Sequence, residues 1–398
     1  MSGFSAWLKD IEEASAHKAL MVGLPTKRVE SWKYVPTRSL TRTSWQPATP
    51  KTTERFALTG GRFSNIPKVS GLEVADEQLT PEEQKRLGEI EEAHGFGLTQ
   101  AALDHGRLIL TIQETASVRI NLDHLANQAS SAGFATLILR LEAGAELTFV
   151  EQFEATVVEK SNLSSLRCII TLSRDASVTH VRFQAANATA HIFSNTDVTC
   201  DENASYRLQT IEFGAKLARN DINIVLAGRE ASASVNGLAI TKGSQYHDTR
   251  LTIDHAAGDT RSEMTLRNMV DGKGEATTNG RVLIRKDSQR SGTEQSIANL
   301  LLSESARVNP KPELEIYADD VTASHGCTVG SLNETELFYL KSRGLSEADA
   351  RALLQYAFAE KIVGEIQHPD IRNLVETQLL GELQHGELIG ELKESVNV

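Results

Sequence analysis

Two side chains able to bind a metal ion stand two residues apart late in the chain, His325 and Cys327. They follow an alternating, strand-like segment, residues 311–321. Side chains two apart on a strand share one face, with Cα atoms about 6–7 Å apart, so both could reach one ligand. Imidazole and thiolate are good iron ligands, but two ligands do not complete a tetrahedral site. The pair therefore predicts half of an interface metal site, and the alternative is a strand-end histidine beside a buried cysteine.

Other residue patterns exclude several kinds of chemistry. The segment 272–275 has neither the spacing nor the following lysine and hydroxyl residue of a nucleotide-binding glycine loop. His247 and His255 each stand beside an aspartate, where a solvated histidine or one bonded to its neighbour is a simpler interpretation than an oriented base. Cys168 and Cys200 lie in strand patterns and are predicted to be small buried side chains. We therefore expect no metal ion or cofactor to be held tightly by the lone chain.

Composition narrows the function classes further. The chain has 398 residues, and no apolar run approaches the ~20 residues of a membrane span. Its first ten residues lack the basic and apolar regions of a secretory signal, and its three cysteines are too scattered for a disulfide framework. We therefore expect a cytoplasmic protein with reduced thiols. The net charge of −12 argues against a nucleic-acid partner.

The chain divides into three predicted domains: a helical and irregular N-terminal domain (1–104), a β-rich core (105–331) and a helical C-terminal domain (332–398). In the core, short alternating segments follow one another without a convincing long amphipathic helix. Ala145, Ala176, Ala204 and Ala233 precede four of these segments at steps of 31, 28 and 29 residues. The near-constant step favours stacked β-coils over a sandwich, although it is lost after Ala233.

The C-terminal domain is predicted to contain two capped helices. They start at 333–336 and 346–349, and Gly344 stands where a C-cap glycine would lie. Apolar residues of the second helix form one stripe at helical spacing: Ala350, Leu353, Leu354, Ala357, Phe358, Ile362 and Ile366. Such a stripe is more often packed against the body of the protein than used to dock a partner.

A set of short segments over most of the chain matches, in the same order, sequence motifs of a known protein family. They are 23–26, 30–34, the positions of His247 and His255, 299–303, 311–321, 324–326, 328–330 and 337–344. Together they resemble the SufB/SufD family of iron–sulfur cluster assembly scaffolds, most closely over 243–366. The SufB branch carries an acidic residue on each side of the matching histidine. Here His325 is flanked by Ser324 and Gly326, so the resemblance is to the SufD branch.

The resemblance implies a mainly β fold, with a right-handed parallel β-helix core flanked by N-terminal and C-terminal helical domains. It implies a non-catalytic scaffold that pairs with a SufB-like paralogue through the β-helix ends and binds a SufC-like ABC ATPase through its C-terminal helices. ATP hydrolysis is then expected in SufC, and a transient iron–sulfur cluster at the SufB–SufD interface. An open β-helix end leaves strand edges unpaired, so we also expect the isolated chain to self-associate as a homodimer.

The family's functional histidine falls on His325, which makes it the candidate metal ligand shared with a partner chain. Cys327 stands where relatives have alanine, and Ala323 where some have cysteine. The thiol is therefore inferred from strand geometry alone, as an auxiliary ligand. The predicted SufC-binding surface lies on the two C-terminal helices: Leu337, Phe338, Tyr339, Arg343, Leu353 and Phe358.

Two other functions also fit the pattern. One is a β-helix enzyme acting on an acidic polysaccharide through Asp319, Asp320 and His325. The acidic net charge, the lack of a visible secretory signal and an aromatic content of 5% count against it. The other is a purely structural homodimer whose β-helix ends stack on each other. Exchange of the lone chain into a mixed complex would distinguish the scaffold from this structural protein.

Overall fold

The structure is a computed structural model and describes most of the chain: residues 3–11, 14–48, 54–75, 78–92, 95–104, 106–126, 128–155, 161–387 and 389–390. The α-helices are α1 Ser5–Lys9, α2 Ala14–Val22, α3 Arg38–Arg42, α4 Pro81–Glu92, α5 Gly95–Leu103, α6 Glu334–Ser342, α7 Glu347–Val363 and α8 Pro369–Glu382, with a 3₁₀ turn at Glu30–Trp32. The first four strands are short: β1 Gln46–Pro47, β2 Ala57–Thr59, β3 Arg62–Ser64 and β4 Leu72–Val74.

Sixteen longer strands build the body of the molecule. They are β5 Arg107–Ile112, β6 Ser117–Ala126, β7 Ser131–Leu141, β8 Glu146–Ala155, β9 Asn162–Leu172, β10 Ser177–Gln184, β11 Ala190–Cys200, β12 Ser205–Glu212, β13 Leu217–Leu226, β14 Ser232–Thr241, β15 Tyr246–His255, β16 Arg261–Val270, β17 Glu275–Ile284, β18 Gly292–Leu301, β19 Arg307–Ile316 and β20 Thr322–Gly330.

These strands alternate between two sheets. Odd-numbered strands lie side by side in one sheet and even-numbered strands in the other. Each strand pairs in parallel with the strand two places further along the chain. One odd and one even strand therefore make one coil, and the coils stack into a parallel β-solenoid of about 7 turns. The predicted mainly β fold, a parallel β-helix between helical segments, is confirmed.

The hydrophobic core lies between the two sheets. Because coils stack in register, residues at the same place in successive coils form columns across a sheet. One inward column of the odd-numbered sheet contains Leu137, Cys168, Thr196, Ile222 and Leu251, all of them buried. β-Branched and leucine side chains suit such a surface because it is covered from the opposite sheet. The prediction that Cys168 is a buried side chain is confirmed, and the same is true of Cys200.

A left-handed turn residue recurs at the same corner of the coils. Positive φ angles mark this position at Thr115, Gly144, Asp175, Asn203, Glu230, Asp259 and Arg290. The residue that follows the turn is small and, from Ala145 onward, buried.

The residues at this corner show that the predicted alanine repeat is wrong in two respects. The register pairs Ser205 with Ser232, so the equivalent of Ala204 is Ala231 and not Ala233. The repeat also does not end there, because Thr260 and Ser291 occupy the same corner in the next two coils. The step was lost in the sequence because hydroxyl residues replace alanine at these two positions.

Two helical regions pack on the outside of the β-helix. The N-terminal region covers the odd-numbered sheet. There the Trp32 ring stacks on Phe193, and the Arg219 guanidinium lies 4.4 Å from the centroid of the Trp32 ring. The C-terminal helix α7 packs on β14 and β16 of the even-numbered sheet. No helix among the described residues is long and apolar enough to cross a membrane.

The predicted starts of α6 and α7 are confirmed. The Asn333 side chain accepts a hydrogen bond from the Thr335 amide at 2.9 Å, and the Ser346 hydroxyl accepts one from the Asp349 amide at 3.1 Å. Gly344 between the helices has a positive φ of 97°. Capping residues satisfy amides that the first helical turn leaves unpaired.

The predicted apolar stripe of α7 is only partly right. Ala350, Ile362 and Ile366 are buried, as expected. However, Ala357 is exposed, and the remaining buried positions are Ala352, Tyr356, Ala359 and Val363. The helix is therefore rotated from the predicted face, and the small side chains of Ala352 and Ala359 are among those that it buries.

Candidate interface site at the open end of the β-helix

The C-terminal end of the β-helix consists of two edge strands. β20 pairs with β18 and β19 pairs with β17, and neither strand has a second partner within the described part of the chain. They contain nine and ten residues, respectively. At the opposite end the last strands, β3 and β4, contain three residues each and run antiparallel to their neighbours. Long unpaired edges invite another strand, whereas short ones do not, so the C-terminal end is the open end.

His325 and Cys327 lie on β20 and point along the inner face of the β-helix. His325 is in register with Gln295 of β18, and Cys327 is in register with Ile297. Both β18 residues are 1% exposed, and the Gln295 amide donates a hydrogen bond across the interior to the Gly280 carbonyl at 2.7 Å. His325 and Cys327 continue these inward columns but are exposed, since β20 is the last strand of its sheet.

The structure thus places the two predicted ligands on one face and at a free edge. Their shared face follows from the two-residue spacing. Partial desolvation raises the pKa of the Cys327 thiol, so a metal ion bound there would have to displace a proton. The described residues contain no group of three or more His, Cys, Asp or Glu side chains arranged to hold a metal ion. The pair offers two of the four ligands that a tetrahedral site needs, and the described residues arrange no further ones beside them.

The polysaccharide-enzyme alternative needs Asp319, Asp320 and His325 to act together. Both aspartates are exposed on the turn between β19 and β20. A groove of about 450 Å³ on the outer face is lined by Asp320 and Ser324, but neither Asp319 nor His325 contributes to its lining. Since the histidine continues an inward column, the three groups do not face a common cavity.

His247 and His255 are both buried inside the β-helix. The His247 Nε2 atom lies 2.7 Å from the Gly214 carbonyl oxygen, and burial lowers the pKa of this imidazole. His255 lies between the hydroxyls of Thr260 and Ser262, at 2.8 and 2.9 Å, and burial lowers its pKa to about 4. Neither imidazole is solvated, and these hydrogen bonds hold both as neutral structural groups.

A buried charged cluster stands further inside the β-helix, and no sequence motif points to it. The Glu151 carboxylate lies 2.8 Å from His180 Nε2 and 3.0 Å from His124 Nε2. His180 Nδ1 lies 2.8 Å from the Tyr206 hydroxyl. Burial alone would raise the pKa of Glu151, but the hydrogen bonds from both imidazoles outweigh it and hold this pKa well below its usual range. The signal in the sequence that could have pointed to this cluster is the spacing of His124, Glu151 and His180, which are polar residues about one coil apart at inward positions of successive strands.

The residues predicted for SufC binding differ in exposure. On α6, Phe338 is 73% and Tyr339 56% exposed, and the Arg343 guanidinium lies 5.3 Å from the Tyr339 ring centroid. Leu337 is buried in the cluster that α6 and α7 share. Leu353 and Phe358 of α7 are half-buried. Of the predicted residues, Phe338 and Tyr339 on α6 and Arg343 directly after it are therefore the exposed ones.

The fold and this site define a class: a parallel β-helix with one open end, an inward-facing histidine at that end, and helices on its outside. Residues 124–358 match the family described as SUF system FeS cluster assembly, SufBD core domain. The chain is 27% identical over 385 residues to the iron–sulfur cluster assembly protein SufD of Escherichia coli, an alignment that covers 89% of this chain and 88% of that protein. It is 34% identical over 239 residues to a SufBD family protein of Synechocystis, covering 58% of this chain and 52% of the relative.

The matched residues make up more than half of the chain, include both strands of the open end, and stop within α7. The protein belongs to the SufBD family of the SUF iron–sulfur cluster assembly system. The resemblance to SufD is confirmed.

Proposed function

We propose that this protein is a non-catalytic scaffold subunit of a cytoplasmic Suf complex. Its open β-helix end pairs with a SufB-like paralogue through β19 and β20. A nascent iron–sulfur cluster then forms where the two ends meet, with His325 as one ligand and Cys327 as an auxiliary ligand. The lone chain holds no cluster tightly, because it supplies only two suitable groups there.

The observation that carries this proposal is the position of His325. It continues a column of buried, inward-facing residues, yet it is exposed at a strand edge. A second β-helix added to this edge would enclose the imidazole and could supply the missing ligands. Membership in a cluster assembly family makes iron and sulfide the expected cargo of such a site.

A SufC-like ATPase would bind the outside of the C-terminal helices. The exposed rings of Phe338 and Tyr339 stand next to each other on α6, and large exposed aromatic groups commonly anchor protein interfaces. ATP hydrolysis belongs to that partner, because no nucleotide-binding glycine loop is present in this sequence.

Anaerobic affinity capture of the tagged chain from its own cells tests the partners. Co-purification of an ABC-type ATPase and a second β-helix subunit, both identified by mass spectrometry, supports the proposal. Recovery of the chain alone under conditions that preserve other Suf complexes would refute it.

The role of His325 is tested in that complex. His325→Ala should leave the complex assembled while cluster formation, followed by iron and sulfide content, is strongly impaired. Ser324→Ala is the matched control, since Ser324 is adjacent but lies on the other face of β20. Normal cluster formation by the His325→Ala complex would remove the histidine from the proposal.

A further inference from the structure

A cleft of about 510 Å³ opens on the outer face of the even-numbered sheet, at β6, β8 and β10 and therefore at the end of this sheet opposite β20. Three parts of the chain meet there: the segments that flank the hairpin of β2 and β3, the first long strands of the sheet, and the start of α8. A volume of this size is typical of small-molecule sites, which occur preferentially where separate structural units meet. The cleft therefore has the size and the position of a ligand site.

Part of the lining of this cleft is apolar. Phe56, Val150, Phe183 and Ile371 are buried, whereas Leu374 of α8 is 41% exposed. Covering an exposed leucine that stands beside buried apolar groups is favourable, because apolar surface is removed from water. This part of the lining favours a ligand with apolar side chains.

The polar part of the lining contains charges of both signs. The Arg55 guanidinium lies 3.0 Å from the Asp123 carboxylate, and the Arg119 guanidinium pairs with Asp370 of α8. With Glu54, the described residues of the lining supply three carboxylates and two guanidinium groups. This balance argues against a phosphate-rich ligand, which needs an excess of cationic groups. It favours a ligand that has one group of each charge.

Asp123 is the buried anionic group of the cleft, since it is only 5% exposed. Burial raises its pKa, and the nearby Arg55 guanidinium opposes this shift. A carboxylate can accept about four hydrogen bonds, so Asp123 can bind a second donor beside Arg55. An ammonium group at this position would offset the cost of burying the negative charge.

Arg119 is the matching cationic group. Its Nε atom donates a hydrogen bond to Asn121 Oδ1 at 3.2 Å, and its guanidinium donates another to Asp370. A guanidinium has five N–H donors and suits a planar carboxylate, so Arg119 can bind one in addition to these partners. The ion pair with Asp370 is exposed, and exposed pairs contribute little free energy that a ligand would have to replace.

The spacing of the two groups indicates the length of the ligand. Arg119, Asn121 and Asp123 alternate on the outer face of β6, with about 6–7 Å from one to the next. Because the Arg119 side chain reaches to Asn121, its guanidinium stands about one such step from Asp123. An extended peptide spans about 3.3–3.6 Å per residue, so two residues bridge this step and one does not.

We propose that this cleft binds a dipeptide with free termini and apolar side chains. Arg119 binds its carboxylate, Asp123 binds its ammonium group, and the apolar lining with Leu374 covers its side chains. The site involves neither the open end of the β-helix nor the exposed rings of α6, so the inference goes beyond the proposed function.

Isothermal titration calorimetry of the purified full-length chain with leucyl-leucine tests the site, and we expect one dipeptide per chain. N-acetyl-leucyl-leucine and leucyl-leucine amide should each bind about ten- to hundred-fold more weakly, because each lacks one of the two charged groups. Free leucine is too short to reach both groups and should also bind at least about ten-fold more weakly. Failure of leucyl-leucine to bind, or equal binding of the blocked peptides, would overturn the proposal.

Two variants assign the ends of the peptide. Asp123→Asn should weaken the binding of leucyl-leucine about ten- to hundred-fold but leave that of N-acetyl-leucyl-leucine nearly unchanged, because the acetyl group has already removed the positive charge. Arg119→Gln should weaken leucyl-leucine similarly and leave leucyl-leucine amide nearly unchanged. Circular dichroism checks that both variants fold. Losses that are the same for free and blocked peptides would mean that these residues only shape the cleft, and would overturn their assignment.

Arg207→Gln is the matched control. Arg207 stands in the same outer column of the sheet as Arg119 and bonds to Gln367 of the C-terminal region, but it does not line the cleft. This variant should bind leucyl-leucine like the native chain, and an equal loss would show that the effect of Arg119 is not specific.

Leu374→Trp tests the place of the peptide, because a larger ring at this exposed position fills part of the cleft. It should abolish binding while thermal unfolding stays nearly unchanged, and normal binding would show that the peptide lies elsewhere. The open end and α6 lie outside the cleft, so each of these results is independent of the capture of Suf partners. Failure here is thereby distinguishable from failure of the proposed function.

Discussion

The interior and the open end of the β-helix use the same coil geometry for opposite purposes. Inside, the Glu151 carboxylate is enclosed by the imidazoles of His124 and His180, so the charged group finds its hydrogen bonds within the chain. At the open end, His325 and Cys327 occupy equivalent inward columns, but no further coil covers them in the part of the chain that the structure describes.

This difference shows how a repetitive fold can produce a site. Each coil completes the burial and hydrogen bonding of the coil before it. The last coil therefore has unpaired backbone groups along its edges and uncovered side chains simply because the stack ends there. A special loop or a strained turn is not needed to create the site. Substitutions inside should change stability, whereas substitutions at the open end should change association and metal chemistry.

The largest effect is expected for Glu151→Leu. This change leaves two buried imidazole N–H groups without their acceptor, so the free energy of unfolding should fall by about 3–5 kcal/mol. Urea unfolding followed by circular dichroism measures it. Glu146→Leu, at an exposed position of the same strand, is the control and should change it by less than about 0.5 kcal/mol. Equal losses for both variants would contradict a structural role for the buried cluster.

The interior should also respond to acid through its neutral histidines. Burial lowers the pKa of His255 to about 4, whereas an unfolded chain binds this proton near pH 6.5. Between these values the unfolded state binds more protons, so stability falls as the pH falls. The loss from His255 should approach roughly 3 kcal/mol from pH 7 to pH 4, and urea unfolding at several pH values measures it. His255→Gln should flatten this pH dependence, and an unchanged slope would show that His255 does not contribute.

The predictable parts of the molecule are those governed by local rules. Alternating strands, the coil step and the caps at Asn333 and Ser346 follow from period, propensity and hydrogen bonding over a few residues. The placement of His325 and Cys327 on one face follows from their spacing alone.

The parts that were not predictable depend on contacts between distant residues. At the corner of the coils, Thr260 and Ser291 take the place of the earlier alanines. The Thr260 hydroxyl lies within hydrogen-bond distance of His255 and of the Ser291 hydroxyl, so a repeat defined by alanine cannot be followed into these two coils. The face that α7 buries depends on the sheet beneath it, which its own spacing does not specify. The partners of Glu151 come from other coils, about 27 and 29 residues away.

Alanine substitutions at two neighbouring residues of α6 should distinguish a role in packing from a role in partner binding. Leu337 is 3% exposed, and Leu337→Ala should lower the free energy of unfolding by about 2–3 kcal/mol. Phe338 is exposed, and Phe338→Ala should leave stability nearly unchanged while it weakens capture of the ATPase. Thermal unfolding and pull-down of both variants measure these effects. A Phe338→Ala chain that captures the ATPase normally would remove this ring from the proposed surface.

The smallest expected change in the free energy of unfolding comes from serine substitutions at two cysteines. Cys168 is buried in an inward column, so Cys168→Ser places a hydroxyl in an apolar site and should lower the free energy of unfolding by about 1–2 kcal/mol. Cys327→Ser, at the exposed end of an equivalent column on the other sheet, should change it by less than about 0.5 kcal/mol. Urea unfolding of the metal-free chain, at a concentration where it is monomeric, gives both values. A large loss for Cys327→Ser under these conditions would mean that the thiol packs within its own chain. It would then be part of the core and not a ligand that the open end presents to another subunit.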